Sequence, residues 1–187
     1  MSIATTDPAT ITIRMPVAPV ADVAGAPAFV LDAPLPGRKI GLRTDLAWRS
    51  WQLIAGLWAE SLRGAGAEPV EIMTAAQVGK EGTHDRENID AWSDQIDAGI
   101  VGLGTCGSCT SFSVHDAVTL ESHRKPSIVV VASEFETHAR NMARFLGHPD
   151  LKVLVLPYPL EARPEDELRT IASDYYPQAL SLLGVHE

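Results

Sequence analysis

Both cysteines of this 187-residue chain, Cys106 and Cys109, fall in one short stretch, Gly102-Leu103-Gly104-Thr105-Cys106-Gly107-Ser108-Cys109-Thr110-Ser111. Two thiols at this spacing can close a disulfide. The stretch follows an apolar run (Ile100, Val101) and precedes a segment that reads as a helix. A helix N-terminus carries unpaired N–H groups and about half a positive charge, both of which favour thiolate over thiol. Cysteines so placed have pKa values of roughly 3.5–7.5 instead of about 8.5. In such a pair the earlier residue sits beyond the first turn and the later one inside it. Cys106 is therefore expected as nucleophile and Cys109 as resolving thiol. Gly102, Gly104 and Gly107 allow close backbone approach and positive φ. Thr105, Ser108, Thr110 and Ser111 supply caps and donors for an anionic substrate group.

A helix beginning near Ser111 would put His115 one turn in, within reach of the loop as general acid or base. Asp116 is its neighbour, and Glu121 follows on the same segment. Three other readings of the loop stay open. Gly102-Leu103-Gly104-Thr105-Cys106-Gly107 matches the dinucleotide pattern G-x-G-x-x-G, but it follows a third strand, and no acidic residue ends the next strand about 20 residues on, Glu134 coming nearest to that place at 27 residues from Gly107. Zinc would need two ligands beyond the CxxC, with His115, His84 and His123 available. A thioredoxin-like site shares the local chemistry only, because its CxxC follows the first βα unit. No cofactor is expected beyond an external thiol reductant, with zinc or a nucleotide as minor alternatives.

The elements that position the loop alternate between strand and helix patterns from Arg38 onward. Strands are expected at 39–42, 69–73, 98–102, 127–132 and 152–156. Helices are expected at 48–63, 88–97, 111–124, 134–146 and 164–183, the last kinked or split at Pro177, and 74–87 reads as a polar loop carrying His84-Asp85-Arg86. The Ile128-Val129-Val130-Val131 run fits a strand covered on both faces. These elements predict an α/β domain over 38–187 with a doubly wound, mostly parallel five-stranded sheet of Rossmann or flavodoxin type. In such a sheet ligands bind at the carboxyl edge near the reversal of strand order, where the cysteine loop would lie. Glu134 and Phe135 would close the loop after the fourth strand and Tyr158 the loop after the fifth. Residues 1–37 hold six prolines and read as an arm on the body or on a partner subunit, or as a disordered tail, with Ile11, Ile13 and Met15 permitting a short edge strand. Trp48, Trp51 and Trp58 share the first helix as core, or as a dimer contact.

The chain is 45% hydrophobic and 21% charged, with a formal net charge of -9 and scattered basic residues, which argues against nucleic acid or an anionic membrane as partner. No apolar stretch reaches the roughly 20 residues of a membrane span. Met1 to Pro8 has no basic or apolar signal region, so a cytoplasmic location is expected.

Gly104 to Asp116, with Glu121 following, resembles the signature of the UGSC family of (seleno)proteins, named for a selenocysteine-Gly-Ser-Cys motif that often carries cysteine first. Pro126, Ser133-Glu134-Phe135, Gly147 with Pro149-Asp150-Leu151, and Pro157-Tyr158-Pro159-Leu160 extend the resemblance over about residues 37 to 184. It implies a thiol-dependent redox role, a distant relation to selenoprotein components of glycine and betaine reductases, and Cys106 at the selenocysteine position. It also marks departures. The loop after the first strand, Arg43-Thr44-Asp45-Leu46-Ala47-Trp48-Arg49, stands where relatives usually bear Asn and Lys. Tyr158 stands where they often have His.

Overall fold

The computed structural model describes residues 25, 28–74 and 79–186, without the side chains at 80 and 81. Ile11, Ile13 and Met15 lie outside the described residues. Five parallel strands, β1 (Lys39–Asp45), β2 (Glu68–Thr74), β3 (Ala98–Gly104), β4 (Ser127–Ala132) and β5 (Lys152–Leu156), form one sheet in the order β2-β1-β3-β4-β5. They alternate with α1 (Arg49–Gly64), α2 (Gly79–Ser93), α3 (Gly107–Ser122), α4 (Glu136–Phe145) and α5 (Glu165–Leu183), and a 3-10 turn (Ser133–Phe135) leads into α4. This is a doubly wound α/β fold. Its strand order reverses between β1 and β3, so the crevice beyond those two strand ends is the expected ligand position.

Each helical layer has its own core. On one face, Trp51, Ile54, Trp58 and Leu62 of α1 meet Leu168, Ile171 and Ala172 of α5 over Ile40, Leu42 and Ile100. On the other, Ile89 and Trp92 of α2, Val114, Ala117 and Leu120 of α3, and Ala139 and Ala143 of α4 pack on Val101, Val129 and Val131. The strands between these layers are apolar on both sides: every residue of β3 and β4 is buried. Full burial of such side chains is worth about 1.5–3 kcal/mol each. Trp51 and Trp58 are buried inside the monomer, edge to face with centroids 5.5 Å apart, and so serve as core.

Three expectations are corrected. The segment 74–87 is not all loop: α2 begins at Gly79, and the helix expected over 88–97 is its second half. The helix is almost wholly polar, so periodicity hides it. Buried Ile89 and Trp92 hold it to the sheet, with the Trp92 indole donating to the Val70 carbonyl at 3.0 Å. Second, α3 begins at Gly107, four residues before Ser111. Third, α5 is not split at Pro177, because buried Ile171 and Ala172 before it and Ala179 and Leu183 after it fasten both halves to the body.

The described end of the arm lies on the body. Ala33 bridges Val185, Leu31 N–H donates to the Leu183 carbonyl at 2.7 Å, and Leu35 is buried. No helix among the described residues is long and apolar enough to cross a membrane.

Candidate active site

At the carboxyl end of the central strand β3 the chain turns directly into α3, and the cysteines occupy that turn. Cys106 is the N-cap of the helix, in extended conformation, and its Sγ accepts the Cys109 N–H at 3.1 Å. A sulfur here takes the place of the Ser or Asp oxygen that commonly satisfies this donor. The two sulfurs are paired as a disulfide, with Cα atoms 5.2 Å apart. Both residues are half-buried, and Ser108 Oγ lies 3.4 Å from Cys106 Sγ. The Cys106 carbonyl accepts the Thr110 N–H at 2.9 Å and the Thr110 hydroxyl at 2.7 Å. Two first-turn donors remain, the N–H groups of Gly107 and Ser108, which meet no protein acceptor among the described residues. They are suited to an anion.

The glycines act by close packing. None of the three has positive φ, contrary to the backbone freedom expected of them. A Cβ at Gly102 would lie 2.7 Å from the Trp51 ring, and one at Gly104 would lie 2.7 Å from Val131 Cγ1 and 2.9 Å from Thr110 Oγ1. A Cβ at Gly107 would meet nothing within 4 Å, which leaves the approach to the first turn open.

Beneath the turn lies a buried cation whose role its sequence position did not reveal. Arg43, 2% exposed near the end of β1, donates from Nη1 to the Gly102 carbonyl at 2.8 Å and to Ser113 Oγ at 3.4 Å. Its Nε lies 3.0 Å from Asp116 Oδ2, an ion pair off the line of the N–H, and Nη1 lies 3.6 Å from Asp45 Oδ2. Asp45 in turn accepts the Ala47 and Trp48 N–H groups and shapes the loop after β1. Asp116, expected at the substrate, is thus buried under the loop as the partner of Arg43.

His138 on α4 was also missed. Its Nε2 lies 3.1 Å from the Gly107 carbonyl and 3.0 Å from Ser111 Oγ. His115, by contrast, is exposed and sits nine residues, two and a half turns, beyond Cys106. Its expected reach depended on a helix starting near Ser111; with the start at Gly107, no hydrogen bond joins its ring to the cysteines among the described residues. His123, offered as a zinc ligand, caps the opposite end of α3, where its Nε2 lies 3.2 Å from Asp90 Oδ1. His84 is exposed on α2. No three His, Cys, Asp or Glu side chains gather as a metal set among the described residues.

Phe135 and Tyr158 do come together, at the ends of β4 and β5, with ring centroids 6.2 Å apart. Tyr158 is 48% exposed, and Glu134 is exposed beside Phe135. Glu121 is remote from all of these. Buried near the last turn of α3, it accepts the N–H groups of Phe29 and Ser127, each at 3.0 Å, and the Ser127 hydroxyl at 3.3 Å. Burial raises its carboxyl above the usual 4.5, against the pull of those hydrogen bonds and of Lys152.

Compared with models of known families, the chain matches the UGSC family over residues 12–185. The chain belongs to the UGSC family. The match runs through the cysteine turn, both aromatic loops and the described end of the arm, so in this UGSC protein all the features above lie inside the family region. Comparison with curated proteins finds no match.

Proposed function

We propose that this protein is a thiol-dependent redox enzyme acting on a small, anionic substrate, with Cys106 as nucleophile and Cys109 as resolving thiol. The observation that carries this reading is a single atom: Cys106 Sγ caps the first turn of α3, 3.1 Å from the Cys109 N–H, at the reversal of strand order. In the reduced protein that N–H and the helix dipole favour the Cys106 thiolate. The thiolate bonds to an electrophilic atom of the substrate, and the electron pair of the broken bond leaves with its departing group. Cys109 then attacks the Cys106 sulfur. The S–S bond forms, and the electron pair of the sulfur–substrate bond goes to the substrate, which takes up a proton. An external thiol system restores both thiols with two electrons and two protons and becomes the disulfide itself. The open Gly107 and Ser108 N–H groups hold the anionic group, and Phe135 with Tyr158 walls one side of the crevice.

The family resemblance supports the same role for Cys106 and extends it to a distant relation with the selenoprotein components of glycine and betaine reductases. A cytoplasmic location suits a dithiol that must be re-reduced. Intact-mass measurement before and after mild reductant tests the reading. The expected result is a reversible gain of two hydrogens with a measurable reduction potential, followed by trapping of a covalent Cys106 adduct in a substrate screen. Stoichiometric zinc that blocks alkylation of both cysteines would instead favour a non-catalytic binding module.

A further inference from the structure

We infer that His138 is a positioning residue that strengthens the anion-binding turn through the Gly107–Ser108 peptide; the inference rests on Cys106 being the attacking thiol. Three observations converge on one carbonyl. The Ser111 hydroxyl donates to the Gly107 carbonyl at 3.0 Å. His138 Nε2 lies 3.1 Å from the same oxygen and 3.0 Å from Ser111 Oγ. A carbonyl only accepts, so with the Ser111 hydroxyl donating to this oxygen, Nε2 shares it as an N–H donor.

The consequence lies on the other side of the peptide bond. The carbonyl of Gly107 and the N–H of Ser108 belong to one planar amide. Donors gathered on the oxygen draw charge toward it and make the N–H more positive, as chains of hydrogen bonds polarise one another by roughly 10–30% per bond. The Ser108 N–H is one of the two first-turn donors left open, and it lies next to the Cys106 cap. His138 thus raises the donor strength of the turn that must hold a thiolate and an anionic substrate group, without touching either. Other charged groups nearby are Glu134 before α4, Glu136 and Arg140 (paired with each other at 2.8 Å) on α4, and His115 on α3; none is hydrogen-bonded to His138 among the described residues.

The test is the pH profile of Cys106 alkylation by iodoacetamide in the reduced full chain carrying Cys109→Ser, a readout that needs no substrate. With His138→Ala, the rate near pH 6 is expected to fall about threefold, half a pKa unit, with the high-pH plateau unchanged. His138→Gln, whose amide keeps an N–H donor, should recover most of the loss, and Ser111→Ala should shift the profile the same way by less. An unchanged profile in folded His138→Ala would overturn the inference, as would an equal change at every pH, which marks a steric role. If His138→Ala does not fold, Ser111→Ala and His138→Gln decide by the same criterion. A protein without reversible redox chemistry would defeat the proposed enzyme while leaving this profile shift intact.

Discussion

The two ends of α3 make polar contacts of opposite kinds. At its first turn, Cys106, Ser108, Ser111 and His138 gather on half-buried or exposed backbone, two N–H donors stay open, and the space beyond Gly107 is clear. At its last turn, Glu121 is 2% exposed and closes both N–H groups it faces, Phe29 from the arm and Ser127 from β4. One end leaves hydrogen-bonding capacity unused at the crevice. The other consumes its capacity to fasten three segments of chain. Arg43 lies between them in function: buried like Glu121, it has its hydrogen bonds directed at the underside of the cysteine turn. The comparison teaches that a polar residue near a reactive motif in sequence need not serve the reaction.

Substitutions should separate the two ends. The largest effect is expected at Arg43. Arg43→Ala removes the buried guanidinium that faces Asp116 and Asp45 and should cost about 3–5 kcal/mol of stability, read as a fall in the urea midpoint. Because it also frees the Gly102 carbonyl, alkylation of Cys106 should change in whatever protein still folds. Glu121→Ala comes next. It strands two N–H groups and should cost about 2–3 kcal/mol while leaving the pH profile of Cys106 alkylation where it was.

Glu121 also has a pH signature. Its folded-state carboxyl titrates above the usual 4.5. In the window starting at that value and rising to the shifted one, the folded chain keeps a proton that the unfolded chain has released. Stability from this group is therefore fully present below about pH 4.5 and declines as pH rises through the window. The advantage of the natural protein over Glu121→Gln should accordingly shrink between acid and neutral pH, in thermal melts at matched ionic strength. An advantage that grows with pH would contradict the assignment.

The smallest effects are expected within the turn. Gly104→Ala forces a Cβ against Val131 and Thr110 and should cost about 1–3 kcal/mol. Gly107→Ala meets open space and should stay within about 0.5 kcal/mol of the natural protein. Equal losses at the two glycines would remove the distinction between a packed side and an open side of the loop.

Much of this was legible in the sequence because strong local patterns and packing agree. The β-branched run of β4 and the run of β5 were read to the residue, since apolar strands covered on both faces leave no choice of phase. The cysteine turn lies at the expected edge because parallel strands put every carboxyl end there. The start of α3 was misplaced because Ser108, Cys109 and Thr110 read as loop formers, and a sulfur cap is an unusual signal. That error carried His115 toward the site. His138 and Arg43 went unseen for a different reason. Each reaches the turn from an element distant in sequence, and only the strand order brings them there. The signal for α2, Ile89 and Trp92 three apart, was present but outnumbered by charge.

Site-resolved alkylation of the reduced natural protein across pH measures the reactivity of Cys106 most directly. Cys106 should be modified before Cys109 near pH 6, with an apparent pKa well below the ordinary value of about 8.5. Faster labelling of Cys109, or two thiols that both titrate at the ordinary value, would contradict it.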